Sequence, residues 1–143
     1  MTPVVKIICE NNGSELSVNM GTSLRGVIDM LALNSPQPFL AAYVNNRIKE
    51  LNYKIYKPIS VRFIDITHFE GTRVYQRTLF FIMHKAVHDL SPEATFSIRH
   101  SVSKGFYCEI DDHDELSDEQ IAQIKQRMDE IIAADIPIVR ERL

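Results

Sequence analysis

Near residues 67–72 the hydrophobic period of the chain changes from two to 3.6. A period of two lines one face of a strand, and a period of 3.6 lines one stripe of a helix, so the two halves cannot share one repeating pattern. The chain therefore divides into a strand-rich part, 1–67, and a helix-led part, 68–143. Its 143 residues suffice for one compact domain or for two small ones.

The first part reads as short strands around one helix. Val4 to Cys9 is an apolar, β-branched run, and Asn11-Asn12-Gly13 after it signals a hairpin turn. Leu16 and Val18 alternate with polar neighbours as a return strand should. Thr22 or Ser23 can cap a helix in which Leu24, Val27, Ile28 and Leu31 fall at helical spacing. Pro36 and Pro38 close that region. Leu40 to Val44 is strand-like, Asn45-Asn46 turns the chain into Arg47 to Leu51, and Val61 to Ile66 alternates as a half-buried strand.

In the second part, Thr72 to Leu90 forms one helical pattern with Leu79, Ile82, Met83, Ala86 and Leu90 as its apolar stripe. Thr95 to Ile98 and Gly105 to Ile110 read as strands. Asp111 to Glu115 reads as a solvated acidic turn, lacking the glycine and spaced ligands of a calcium loop. Ser117 with Gln120 forms a capping box for a helix whose apolar face is Ile121, Ile124, Met128, Ile131 and Ile132, ended by Pro137. Ile138 to Leu143 resembles a strand just beginning, so residue 143 is not expected to be a natural domain end.

Several function classes fall away. No apolar run approaches the roughly 18 residues of a membrane span, and no secretory signal opens the chain. Cys9 and Cys108 could form at most one bridge, so a reducing, cytoplasmic setting is expected. Sixteen basic against nineteen acidic residues argue against nonspecific nucleic-acid binding by the whole chain, and DNA is not an expected partner. A local basic patch remains compatible with that sum. No Gly-rich phosphate loop, Gly-x-Ser-x-Gly elbow or Cys-x-x-Cys occurs, so no catalytic residue, resident cofactor or metal is assigned to these residues.

The candidate ligand-binding face lies on the first long helix. Arg77, Phe81, His84, Lys85 and His88 project away from its apolar stripe. His84 and His88 stand at i and i+4, the spacing of two-point metal ligation, but no third ligand is identifiable. Phe81 among cations either lines a pocket or packs beneath a neighbour, and both readings stay open. Lys104 and Tyr107 could present a base and an aromatic ring to a nucleotide or RNA ligand. Phe106 and Cys108 read as core residues.

The order of elements resembles a known arrangement. Residues 4–66, with Gly21-Thr22-Ser23-Leu24 and Ala41-Ala42-Tyr43-Val44-Asn45-Asn46-Arg47, resemble a TGS domain, the β-grasp module at the front of threonyl-tRNA synthetases. Residues 72–143 resemble the start of the editing domain that follows it, through Gly105-Phe106-Tyr107-Cys108-Glu109-Ile110-Asp111 and Lys125-Gln126-Arg127-Met128. The resemblance implies an α+β fold: a β-grasp domain followed by the N-terminal part of an editing-like domain. It also implies a His-x-x-x-His pair on the first helix, at positions that here carry Arg77 and Phe81, with a further family histidine at Lys85. A similar front end with altered histidines occurs in uridine kinase-like proteins, which His100-Ser101-Val102-Ser103-Lys104-Gly105 and Ile124 through Pro137 resemble most. That resemblance implies a noncatalytic binding or regulatory region before a kinase domain in the same chain, with ATP and magnesium confined to that domain. The alternatives are the front of a threonyl-tRNA synthetase, with tRNA binding or editing, and a free-standing interaction module.

Overall fold

Asn11 is where the first strands are locked into a sheet. In the computed structural model, which describes residues 2–102, 105–110, 116–139 and 141, its side-chain amide donates to the Phe63 carbonyl at 3.0 Å and accepts from the Phe63 N–H at 2.8 Å. An asparagine thus stands in for a strand residue and satisfies two backbone groups. Around it run β1 (Val4–Cys9), β2 (Ser14–Asn19), β3 (Thr22–Ser23), α1 (Leu24–Leu31), β4 (Ala41–Val44), β5 (Arg47–Lys49), β6 (Lys54–Ile55) and β7 (Ile59–Ile64). Five strands form a mixed sheet in the order β2-β1-β7-β4-β5, with β1 and β7 parallel and the other neighbours antiparallel.

Local chemistry fixes the connections. Gly13 takes a left-handed φ of 72° in the first turn, and Asn45 and Asn46 take φ values of 48° and 67°, as a two-residue hairpin turn of the primed kind requires. Ser23 caps α1, its hydroxyl accepting the Gly26 N–H at 3.1 Å. One face of the sheet closes over α1 with Ile7, Cys9, Val18, Leu24, Val27, Ala42, Val44, Leu51, Ile55, Ile59, Val61 and Phe63 buried together. The two-residue β3–β6 ladder, absent from the expected strands, pairs Thr22 with Ile55 where α1 begins.

After β7 the chain turns sharply into α2 (Phe69–Leu90). Asp65 organises the turn: its carboxylate accepts from the Ser35 hydroxyl at 2.9 Å and from the Thr67 N–H at 2.9 Å. These hydrogen bonds, those from Thr67 first, hold the Asp65 carboxyl below its ordinary pKa. Gly71 presses so closely on the Asp65 carbonyl that a Cβ there would lie 1.8 Å from that oxygen. Helix α2 thus begins three residues before the expected Thr72.

The chain forms two compact units, 1–76 and 77–143. The second holds the rest of α2, an antiparallel ribbon of β8 (Phe96–Val102) and β9 (Gly105–Ile110), and α3 (Asp118–Ala133). Ser117 and Gln120 form the expected capping box at the start of α3. The helix ends at Ala133, before Pro137, and Asp135 takes a left-handed φ of 49°. The acidic stretch 111–115 lies outside the described residues, as do 103, 104, 140, 142 and 143. Ile138 and Val139 have no regular structure. The architecture is mixed α+β, as expected.

Candidate functional site

Helix α2 separates two surfaces within the second unit. At about 100° per residue, Phe80, Met83 and Val87 share one side, and Arg77, Phe81, His84 and His88 centre roughly a quarter turn round the helix from them. Of the expected stripe, Ala86 is buried and Leu79, Ile82 and Met83 are half-buried, whereas Leu90 is 45% exposed; Val87, outside that stripe, is buried as well. The ribbon packs its rings against this helix. Phe106 meets Phe80 edge-on at 4.9 Å between ring centroids, and Phe96 meets His84 edge-on at 6.0 Å.

On the inner side, Met83, Val87, Phe96, Cys108, Ile110, Ile124 and Met128 line an apolar cavity of about 320 Å³. Burial there pushes the Cys108 thiol above its ordinary pKa, which favours the neutral thiol over the thiolate. Phe106 is 41% exposed rather than fully in the core.

The outer side carries all five candidate residues, but they do not converge on one point. Phe81 is 57% exposed, and Arg77, His84 and His88 are exposed beside it. Lys85 is engaged, donating to Asp89 at 3.2 Å. His84 leans on Phe96. Arg77, Phe81 and His88 are thus left facing solvent. Among the described residues, no three His, Cys, Asp or Glu side chains are grouped closely enough to hold a metal ion.

Tyr107 lies on β9 opposite His100 and is 48% exposed. Lys104, its expected companion, lies outside the described residues.

Asp89 went unnoticed in the sequence, yet it joins the helices of this unit. It accepts from Arg127 Nε at 3.0 Å and Nη2 at 2.8 Å, while Arg127 Nη1 reaches Glu130 at 2.9 Å. The Arg127 guanidinium, with Lys85 adding to it, holds the Asp89 carboxyl below its ordinary pKa. A pair 38 residues apart leaves no local pattern by which it could be found.

Charge separates the units as well. Residues 1–76 carry eight basic against six acidic side chains, and residues 77–143 carry eight against thirteen. The whole-chain sum conceals a basic first unit.

No protein-family profile matches the chain. Among individual proteins it is similar to threonine–tRNA ligases. That of Clostridium kluyveri is 30% identical over 132 residues, covering 92% of this chain and 21% of the ligase. That of Syntrophomonas wolfei is likewise 30% identical over 132 residues, 92% of this chain and 21% of the ligase. That of Symbiobacterium thermophilum is 27% identical over 143 residues, the whole of this chain and 22% of the ligase. The chain spans about a fifth of the length of these curated relatives. None of the three is a kinase, so the expected uridine kinase-like parent gains no support from them. Along nearly its whole length, the chain is similar to the N-terminal region of threonyl-tRNA synthetases.

Proposed function

We propose that the chain is a front region of a threonyl-tRNA synthetase-like protein that binds RNA without hydrolysing its aminoacyl ester. In this reading, residues 1–67 are a TGS-like β-grasp domain and residues 68–143 the first part of an editing-like domain. Similarity to threonine–tRNA ligases over 92% of the chain supports the parentage. The reading calls for no cofactor within these residues.

The observation that carries the non-hydrolytic part is the outer face of α2. Where the resemblance calls for a His-x-x-x-His pair, Arg77 and Phe81 stand exposed. A guanidinium is always protonated and a phenyl ring has no proton to exchange, so neither replaces a neutral imidazole as general base. Of the nearby histidines, His84 packs edge-on against Phe96. What remains is a cation and an aromatic ring, which suit contact rather than proton transfer.

The test uses the whole chain. Labelled threonine tRNA should bind, by fluorescence anisotropy, with a Kd on the order of 10 μM at low salt. Seryl-tRNA should lose its amino acid no faster than without protein. Failure to bind would overturn the reading. Hydrolysis abolished by His84→Ala or His88→Ala would replace it with an editing enzyme.

A further inference from the structure

Basic side chains outnumber acidic ones in the first unit and are outnumbered in the second, so the first carries the net positive charge that phosphates favour. The segment from Arg47 to Lys57 holds four cations, Arg47, Lys49, Lys54 and Lys57, interleaved with Tyr53 and Tyr56, against the single acid Glu50. Leu51 and Ile55 of this segment are buried in the core of the sheet unit, while Ile48 is 37% exposed. Alternation then sends Lys54 and Tyr56 outward, with Lys57 and Arg47 also exposed.

The segment is held in place by its backbone. The carbonyls of Leu51, Tyr53 and Ile55 accept from the N–H groups of Arg25, Leu24 and Gly21 at 2.9, 3.0 and 2.7 Å. This brings the exposed Arg25, at the start of α1, alongside as a fifth cation. Three carbonyls of the segment are thus occupied.

Two observations set these cations apart from an ordinary solvated face. None of the five makes an ion pair among the described residues, whereas Lys6 pairs with Glu15 and Arg73 with Glu70. And the aromatic rings among them are poised differently. Lys49 lies 5.4 Å from the Tyr53 ring centroid, while Tyr56, seated over Gly21, is 59% exposed. Unpaired cations that can take phosphates, beside an exposed ring that can take a base, form the pattern by which a protein holds unpaired nucleotides.

We infer that Arg25, Arg47, Lys49, Lys54 and Lys57 form a phosphate-binding strip for single-stranded RNA, with Tyr56 as its base-stacking platform. The inference rests on the RNA-binding reading above and gives that binding its surface. Glu50 lies within the segment, and Asp29, on α1 after Arg25, is a further exposed acid close to it in sequence.

The test measures labelled tRNA binding to the full chain across 50 to 200 mM salt, roughly the range over which phosphate contacts are titrated. Reversing three strip charges in R47E/K54E/K57E should weaken binding at least about tenfold and lower the salt slope by about two. The control R73E/R99E/K125E, with the same change in total charge, should weaken binding less than about threefold, since only the long-range field changes. Y56A should weaken binding about fivefold or more, and Y56F should restore it. Circular dichroism and urea midpoints establish that each variant is folded. Wild-type binding that the strip variant and its control reduce equally, or that Y56A leaves unchanged, overturns the strip alone. No binding by the wild type overturns the RNA-binding reading and the strip with it.

Discussion

The two units are nearly equal in length, 76 and 67 residues, yet they shield their apolar residues very differently. Fourteen hydrophobic side chains are buried in the first, whereas Ala86, Val87, Phe96 and Ile131 are those buried among the described residues of the second. Ile121, Ile132, Ile136 and Ile138, each more than half exposed, belong to the second. Both units rely on burial, and the first buries far more apolar side chains than the described part of the second. Burial is the larger source of stability, because a surface ion pair contributes at most about 1 kcal/mol while a buried aliphatic side chain contributes roughly 1.5–3 kcal/mol.

Substitutions can break or sharpen this contrast. The largest effect belongs in the first core: Leu24→Ala should cost about 2–5 kcal/mol by urea denaturation, because Leu24 is fully buried. Ile121→Ala, on a helix face 52% exposed, should cost less than about 1 kcal/mol. Equal losses at the two sites would erase the distinction between the units. Next comes Gly71→Ala. Its Cβ would strike the Asp65 carbonyl, so the turn into α2 must shift at a cost of about 1–3 kcal/mol or more. Ser117→Ala removes the cap of α3 and should cost about 1 kcal/mol, read as lost helicity by circular dichroism. Phe81→Ala should cost least in stability, well below the loss expected of a core phenylalanine, because its ring is exposed.

Acid titration supplies a further contrast. The carboxyl of Asp89 has a lowered pKa in the folded state, so its contribution is complete above the ordinary carboxylate pKa and is lost as pH falls through the folded value. Asp89→Asn should therefore flatten the acid limb of stability for the second unit. Asp65 has the same sign in the first unit, and Asp65→Asn should do likewise there. Amide exchange followed against pH would separate the two.

What the sequence made legible was local. The Asn45-Asn46 turn, the Ser23 cap and the Ser117–Gln120 box each follow from chemistry within a few residues, and each formed as expected. Long-range partners were not legible. The Asn11 clamp reaches Phe63, 52 residues away, and Asp89 reaches Arg127, 38 residues away. The inner stripe of α2 holds from Leu79 to Ala86 and fails at Leu90, and the ribbon adds Phe80 to it through Phe106, a contact that helical spacing alone does not encode. The Lys85–Asp89 pair, at i and i+4 on α2, was legible from helical spacing and was missed, whereas the reach of Arg127 to the same carboxylate was not. The strip from Arg47 to Lys57 was not singled out in the sequence, where Arg47 to Leu51 reads only as a strand, because the whole-chain charge conceals it.

Hydrogen–deuterium exchange of the full chain, with and without threonine tRNA, tests the central claim most directly. The account predicts that added tRNA slows exchange at amides between Arg47 and Lys57 and at the start of α1, leaving α3 unchanged. Protection confined to α2 and α3, or none while tRNA is bound, would contradict it.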